Sequence, residues 1–313
     1  MSKLPQSAAS IVAYLICIIA VPVALTLNTV EIPATVIPNS DNPTPLGYTI
    51  SLSLFLFPMA GLFFWMLRYR QLTFQKRAFL YTIVLLAPVS IFMDIMFGNQ
   101  FFVFENRNAV LGIYFPAVGG PLPIEEIVFY IAGITTVLLI YVWCDECWLE
   151  KYNVPNYAAA SAKIDKLLQF YWPSVIIGCG LILLAVIYKK LFSHSPEGLP
   201  WYFIYITVVA LVPSMAFYKS AKDFINWRAF SFTFFIIVFI SLIWESTLAL
   251  PYQWWGYQDH AMIGVFISAW HNLPIEGIVV WFSASYATVI IYETIKIGLT
   301  IKKTRRVQHD RAA

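Results

Sequence analysis

The stretch Leu122-Pro123-Ile124-Glu125-Glu126-Ile127-Val128-Phe129 opens an apolar run that continues to residue 143. It returns 151 residues later as Leu273-Pro274-Ile275-Glu276-Gly277, at the head of another apolar run. Proline at a first helical position followed by glutamate is ordinary helix-start grammar. Two such starts, each leading into about 20 apolar residues, describe helices that cross a bilayer, because lipid satisfies no backbone polar group.

Composition agrees. Apolar residues make up 60% of the 313-residue chain and charged residues 12%, half the ~25% charged fraction of an ordinary soluble domain. Eight stretches approach spanning length and polarity: 10–28, 48–68, 78–97, 123–143, 170–189, 200–218, 229–249 and 274–296. The chain therefore reads as an all-α polytopic membrane helix bundle. Lys3 is the one early charge and no small-residue cleavage site follows the first run, so that run is expected to stay as an anchor.

Other positions keep the same spacing. Asp94 pairs with Glu245, Phe102-Val103-Phe104-Glu105 with Trp255-Gly256-Tyr257-Gln258, and Leu111-Gly112-Ile113 with Ile263-Gly264-Val265, all at offsets of 151 to 153. Matches in one order make an internal repeat. The expected organisation is a first four-helix repeat over 1–143, a cytoplasmic linker over 144–169, a second four-helix repeat over 170–298 and a basic tail over 299–313. An even number of helices per unit gives both copies one orientation, related by an axis along the membrane normal.

Charge sets the orientation. With eight spans, every lysine and arginine except Arg107, Lys189 and Lys190 falls on one side, together with both termini. The positive-inside rule makes that side the cytoplasm. The basic tail then suits anionic lipid rather than nucleic acid. Cys17 and Cys179 read as small apolar residues, and the lone Cys144-x-x-Cys147 has no further ligands close by. His260 and His271 lack ligand spacing, so no metal site is expected.

The candidate chemistry lies in the acids. Carboxyl groups near an apolar zone are costly and usually functional. Asp94 near the end of the third run and Glu125 and Glu126 at the head of the fourth flank one non-cytoplasmic loop, with Glu245 and Glu276 in the matching places of the second half. Each loop is aromatic: Phe102 and Phe104 in one, Trp254, Trp255 and Tyr257 in the other. No buried lysine or arginine is expected near these acids. Paired carboxyls without metal or cofactor suit general acid–base work. Apolar burial and a like charge favour the protonated form, whereas a helix N-terminus opposes it. Aromatic faces stabilise a cation. Glu293, with Lys296 three residues on, reads as a surface pair.

At these residues the chain resembles the flavin-free lycopene cyclase domain family, with its two homologous halves fused. The likeness rests on Phe92-Met93-Asp94, Phe102-Val103-Phe104 and Leu122-Pro123-Ile124-Glu125-Glu126 in one half. In the other it rests on Ile243-Trp244-Glu245, Trp255-Gly256-Tyr257 and Leu273-Pro274-Ile275-Glu276-Gly277. It covers most of the chain. The resemblance implies a carotenoid substrate within the bilayer, no cofactor, and cyclisation of a linear end group of lycopene to a β-ring. Gly277 replaces the motif's second glutamate, Glu245 replaces an aspartate, and the first half lacks the Trp-Gly turn, so the two halves are not expected to contribute equally. Two alternatives share these features: a carotenoid hydratase, in which water captures the same cation, and a proton-coupled transporter of a lipid-soluble solute, which calls for helices broken near the midplane.

Overall fold

The computed structural model describes residues 45–68 and 75–312, with side chains described to residue 306. The first expected span, 10–28, lies outside the described residues. Seven helices among those described are long and apolar enough to cross a membrane. They are α1 (Gly47–Arg68), α2 (Lys76–Phe101), α3 (Ile124–Trp143), α5 (Trp172–Phe192), α6 (Trp201–Ala221), α7 (Trp227–Trp244) and α8 (Glu276–Ala312), with the short α4 (Tyr157–Ala162) between α3 and α5. The molecule is a multi-pass α-helical membrane protein.

Sequence decides which helices are central. Half of the most apolar window of α3 and of α8 is buried, against 11% for α1 and 17% for α5. α3 packs on α1, α2, α7 and α8, and α8 packs on α2, α3, α6 and α7. Lipid gives helices no hydrophobic drive to associate, so close approach and hydrogen bonds must hold them. Accordingly α8 carries Ser283, Ala284, Ser285, Ala287 and Thr288 in one stretch, and its Trp281 ring lies beside Gly133 of α3. The outer faces present large side chains such as Leu54, Phe57, Leu85, Ile176 and Leu184 to lipid.

The two aromatic loops are built alike. Strands β2 (Tyr114–Phe115) and β3 (Leu122–Pro123) form a hairpin, as do β5 (Phe266–Ile267) and β6 (Leu273–Pro274). Gly112 and Gly264 sit at equivalent turns with φ of +78° and +94°, a region that disfavours side chains. The loops join through β1 (Phe102–Val103), which pairs antiparallel with β4 (Gly256–Tyr257).

Three expectations are corrected. α2 continues to Phe101, so Asp94 lies inside the helix rather than at its end. α8 runs through the expected tail to Ala312, which places Glu293 and Lys296 mid-helix. They are buried, not a surface pair. A π-helical turn over Cys144–Trp148 swings Asp145 and Glu146 onto α8, and the linker's Tyr157 covers Glu293. Lys296 Nζ lies 3.3 Å from Asp145, 3.5 Å from Glu146 and 3.4 Å from Glu293. The third correction is Lys189. No buried lysine was expected near the acids; Lys189 is buried, donates to the Met262 carbonyl at 2.6 Å and lies close enough to Glu276 to interact electrostatically.

Candidate functional site

A single chamber gathers residues from both halves. A cavity of about 390 Å³ lies among α2, α3, α6 and α8 beneath the paired aromatic loops. Asp94, Glu126 and Glu245 line it, along with Phe102, Phe104, Trp255 and Tyr257. The rest of its wall is nearly all apolar or aromatic. That volume falls in the range of small-molecule sites, ~300–1,000 Å³.

Each chamber acid is held by hydroxyl donors. The Tyr48 hydroxyl donates to Glu126 Oε1 at 2.7 Å, and the Tyr130 hydroxyl to Asp94 Oδ1 at 3.0 Å. Asp94 and Glu126 are close enough to interact electrostatically. Glu245 accepts from Ser241 at Oε1 and from Tyr257 at Oε2, both at 2.6 Å, with the Trp281 indole also in hydrogen-bonding reach. Burial, with Glu245 beside it, pushes the Tyr257 phenol well above its ordinary value. Tyr257 therefore stays a donor at any physiological pH.

The other two acids serve the loops. Glu125 Oε1 accepts from the Leu111 amide at 2.8 Å and from Thr49 at 2.5 Å. Glu276 Oε1 accepts from the Ile263 amide at 2.6 Å. Leu111 and Ile263 are matching members of the repeated Leu-Gly-Ile and Ile-Gly-Val motifs. The first glutamate of each Leu-Pro-Ile-Glu thus pins its own hairpin at a helix start, where the dipole favours negative charge. Neither residue lines the chamber, and in both the second oxygen, Oε2, is buried without a hydrogen-bond partner among the described residues.

Trp254 also lies outside the chamber. Its ring stacks on Tyr48 at 6.3 Å and packs over Gly47, where an added Cβ would come within 2.8 Å of the indole. Gly277 has a related role. A Cβ there would sit 2.9 Å from Leu273, 3.2 Å from the Tyr257 hydroxyl and 3.4 Å from Glu245 Oε2. The missing second glutamate leaves the room in which Tyr257 reaches Glu245. On α2, Gly98 packs similarly over Asp94.

The sequence reading missed Tyr48, Tyr130, Tyr202, Tyr205 and Trp281, all chamber-lining. A signal existed for two of them. Tyr130 lies one helical turn after Glu126, and Trp281 stands 151 residues after Tyr130; the two aromatics meet Asp94 and Glu245, themselves 151 apart. Nothing near Tyr48 in sequence marks it.

Together these features define a polytopic membrane protein with an apolar, aromatic-walled chamber that holds three carboxyl groups. No protein-family model, curated protein or solved structure matches the chain.

Proposed function

We propose that the chain is a cofactor-free acid–base isomerase of the lycopene cyclase type, which closes a linear carotenoid end group into a β-ring. The observation that carries this is the chamber: three carboxyls inside an apolar, aromatic-lined cavity among helices long and apolar enough to cross a membrane. In this reaction a carboxylic acid protonates the terminal double bond. The neighbouring internal double bond attacks the tertiary cation and forms the ring bond. A carboxylate then removes the proton from the ring carbon that made the new bond, which restores the internal double bond; the terminal double bond has been exchanged for the ring bond and the formula is unchanged. General acid–base catalysis needs groups within hydrogen-bond reach of the moving proton.

The interacting pair Asp94 and Glu126 is assigned to hold the donated proton. Glu245, arriving from α7, is assigned to receive the ring proton. Phe102, Phe104, Trp255 and Trp281 offer π faces to the cation. The chamber must also exclude water, which would convert the cation to an alcohol. Both termini are proposed to be cytoplasmic, with the aromatic loops on the opposite side, in keeping with the lysine and arginine distribution. Two parallel repeats are proposed on the shared build of the two hairpins. Transport is less well supported, because α2, α3, α6 and α8 run unbroken past the chamber.

Expression in cells that accumulate lycopene tests the proposal. The expected product is a cyclised pigment of unchanged mass, resolved by chromatography and mass spectrometry. Unaltered lycopene in cells that hold the folded protein would refute it, and a pigment heavier by one water would make the protein a hydratase.

A further inference from the structure

The chamber has an opening that the proposed chemistry does not use. Val89 on α2 and Val208 and Val212 on α6 line the cavity and are also 53%, 40% and 53% exposed on the outer surface. α2 and α6 each pack on α8, and they meet one another at their loop ends, where Phe97 and Phe101 lie against Tyr202 and Tyr205. All three valines lie near the middle of their helices, at the depth of lipid tails. Pro88 and Pro213 stand beside Val89 and Val212, so each flanking helix lacks a backbone donor at this level. The acids lie to one side: Asp94 is five residues beyond Val89, or ~8 Å along the helix axis.

The matching gap lies between α7 and α1, and it is filled. A cavity of only about 30 Å³ lies between α1 and α7, lined by Phe129, Gly133, Ile237, Ile240, Ser241 and Trp244 among others. The last four are the 151-residue counterparts of Leu86, Val89, Ser90 and Met93, which line the large chamber. Trp244 stands where the chamber has Met93, and its indole donates to Ser51 of α1 at 2.7 Å, tying the two helices together.

We infer that the gap between α2 and α6 is a lateral portal, and that a long linear polyene lies in it with one end at the acids and the rest in the bilayer. The inference rests on reading the cavity as a reaction chamber. With the counterpart gap filled by Trp244, one end of a two-ended substrate is handled per binding event. A half-converted molecule must leave, turn and return for its second ring.

The test measures capture apart from chemistry. Tagged protein in nanodiscs is mixed with lycopene-loaded vesicles for timed intervals and re-isolated. Total bound polyene, converted or not, is quantified by chromatography above empty nanodiscs. Val89→Phe with Val212→Phe is expected to slow capture at least ~10-fold, as narrowing an access route does. Phe239→Trp, on the lipid face of α7 by the filled gap, should leave it unchanged. Should the phenylalanines impair folding, Val89→Cys is folded first and then capped with a bulky reversible thiol reagent, the unsubstituted chain treated alike as control; reduction should restore capture. Normal capture without product would overturn the acid–base proposal and leave the portal standing. Capture at wild-type rate in the narrowed variants, equal slowing by Phe239→Trp, or no capture by the wild type would overturn the portal.

Discussion

Glu126→Gln is expected to lower conversion of lycopene by at least ~10²-fold, the usual scale for losing a general acid. Glutamine keeps the volume and still accepts the Tyr48 hydrogen bond now at 2.7 Å, so the local fold should persist while the transferable proton is lost. Asp94→Asn should act comparably, since Asp94 interacts with Glu126 and lines the same chamber. Glu125→Gln and Glu276→Gln should be much milder. Their amide oxygens can still accept from Leu111 and Ile263, and neither side chain lines the chamber. Turnover at matched protein level decides this. Near-normal rates in Glu126→Gln and Asp94→Asn would remove the acid–base account. A loss at Glu276→Gln as large as at Glu126→Gln would make the second half's glutamate the principal acid.

Lys296→Met is expected to destabilise the fold by about 3–5 kcal/mol, the range seen when one partner of a buried ion pair is removed. Lys296 is 7% exposed and serves Asp145, Glu146 and Glu293, whose exposures are 2%, 17% and 0%. Without the ammonium three carboxylates face one another beyond the end of α3 and midway along α8, away from the chamber. Tyr141 and Tyr157 donate to Glu293 at 3.2 and 2.9 Å, but phenols cannot balance the charge. Burial, with Glu293 beside it, pushes the Tyr157 phenol up, so it remains a donor. Denaturant unfolding in mild detergent measures the effect. Adding Glu293→Gln should recover part of the loss, since contacting residues couple. Wild-type stability in Lys296→Met would show that the cluster does not hold the two central helices together.

Seven of the eight expected spans were legible because bilayer physics leaves a coarse mark, about 20 apolar residues per helix. Helix ends were less so. Nothing in Ile95-Met96-Phe97 stops a helix after Asp94, and the basic residues after Lys296 are compatible with helix. Extending α8 turned an apparent surface pair into a buried cluster. Lys189 illustrates the same limit: its position beside Lys190 looks like a charged loop, yet its ammonium finds a carbonyl 73 residues away.

The acids were legible as a set and not as individuals. Glu125 and Glu126 differ by one position, or ~100° around a helix. Which one faces the chamber depends on where α1 and the hairpin lie. Thr49 and the Leu111 amide take Glu125, and Tyr48 takes Glu126. Gly277 looked like a missing acid in the second half. In the fold it is the space that lets Tyr257 reach Glu245. The second half therefore contributes its acid and its aromatics to a chamber it shares with the first.

Running the reaction in deuterium oxide tests the central claim most directly. Protonation of the terminal double bond writes one solvent hydrogen into each ring, and the proton later lost comes from the substrate. The account predicts a cyclised product heavier by one deuterium per ring, with no oxygen gained, whether or not a redox cofactor is supplied. A cyclised product without deuterium, or one that has gained the elements of heavy water, would contradict it.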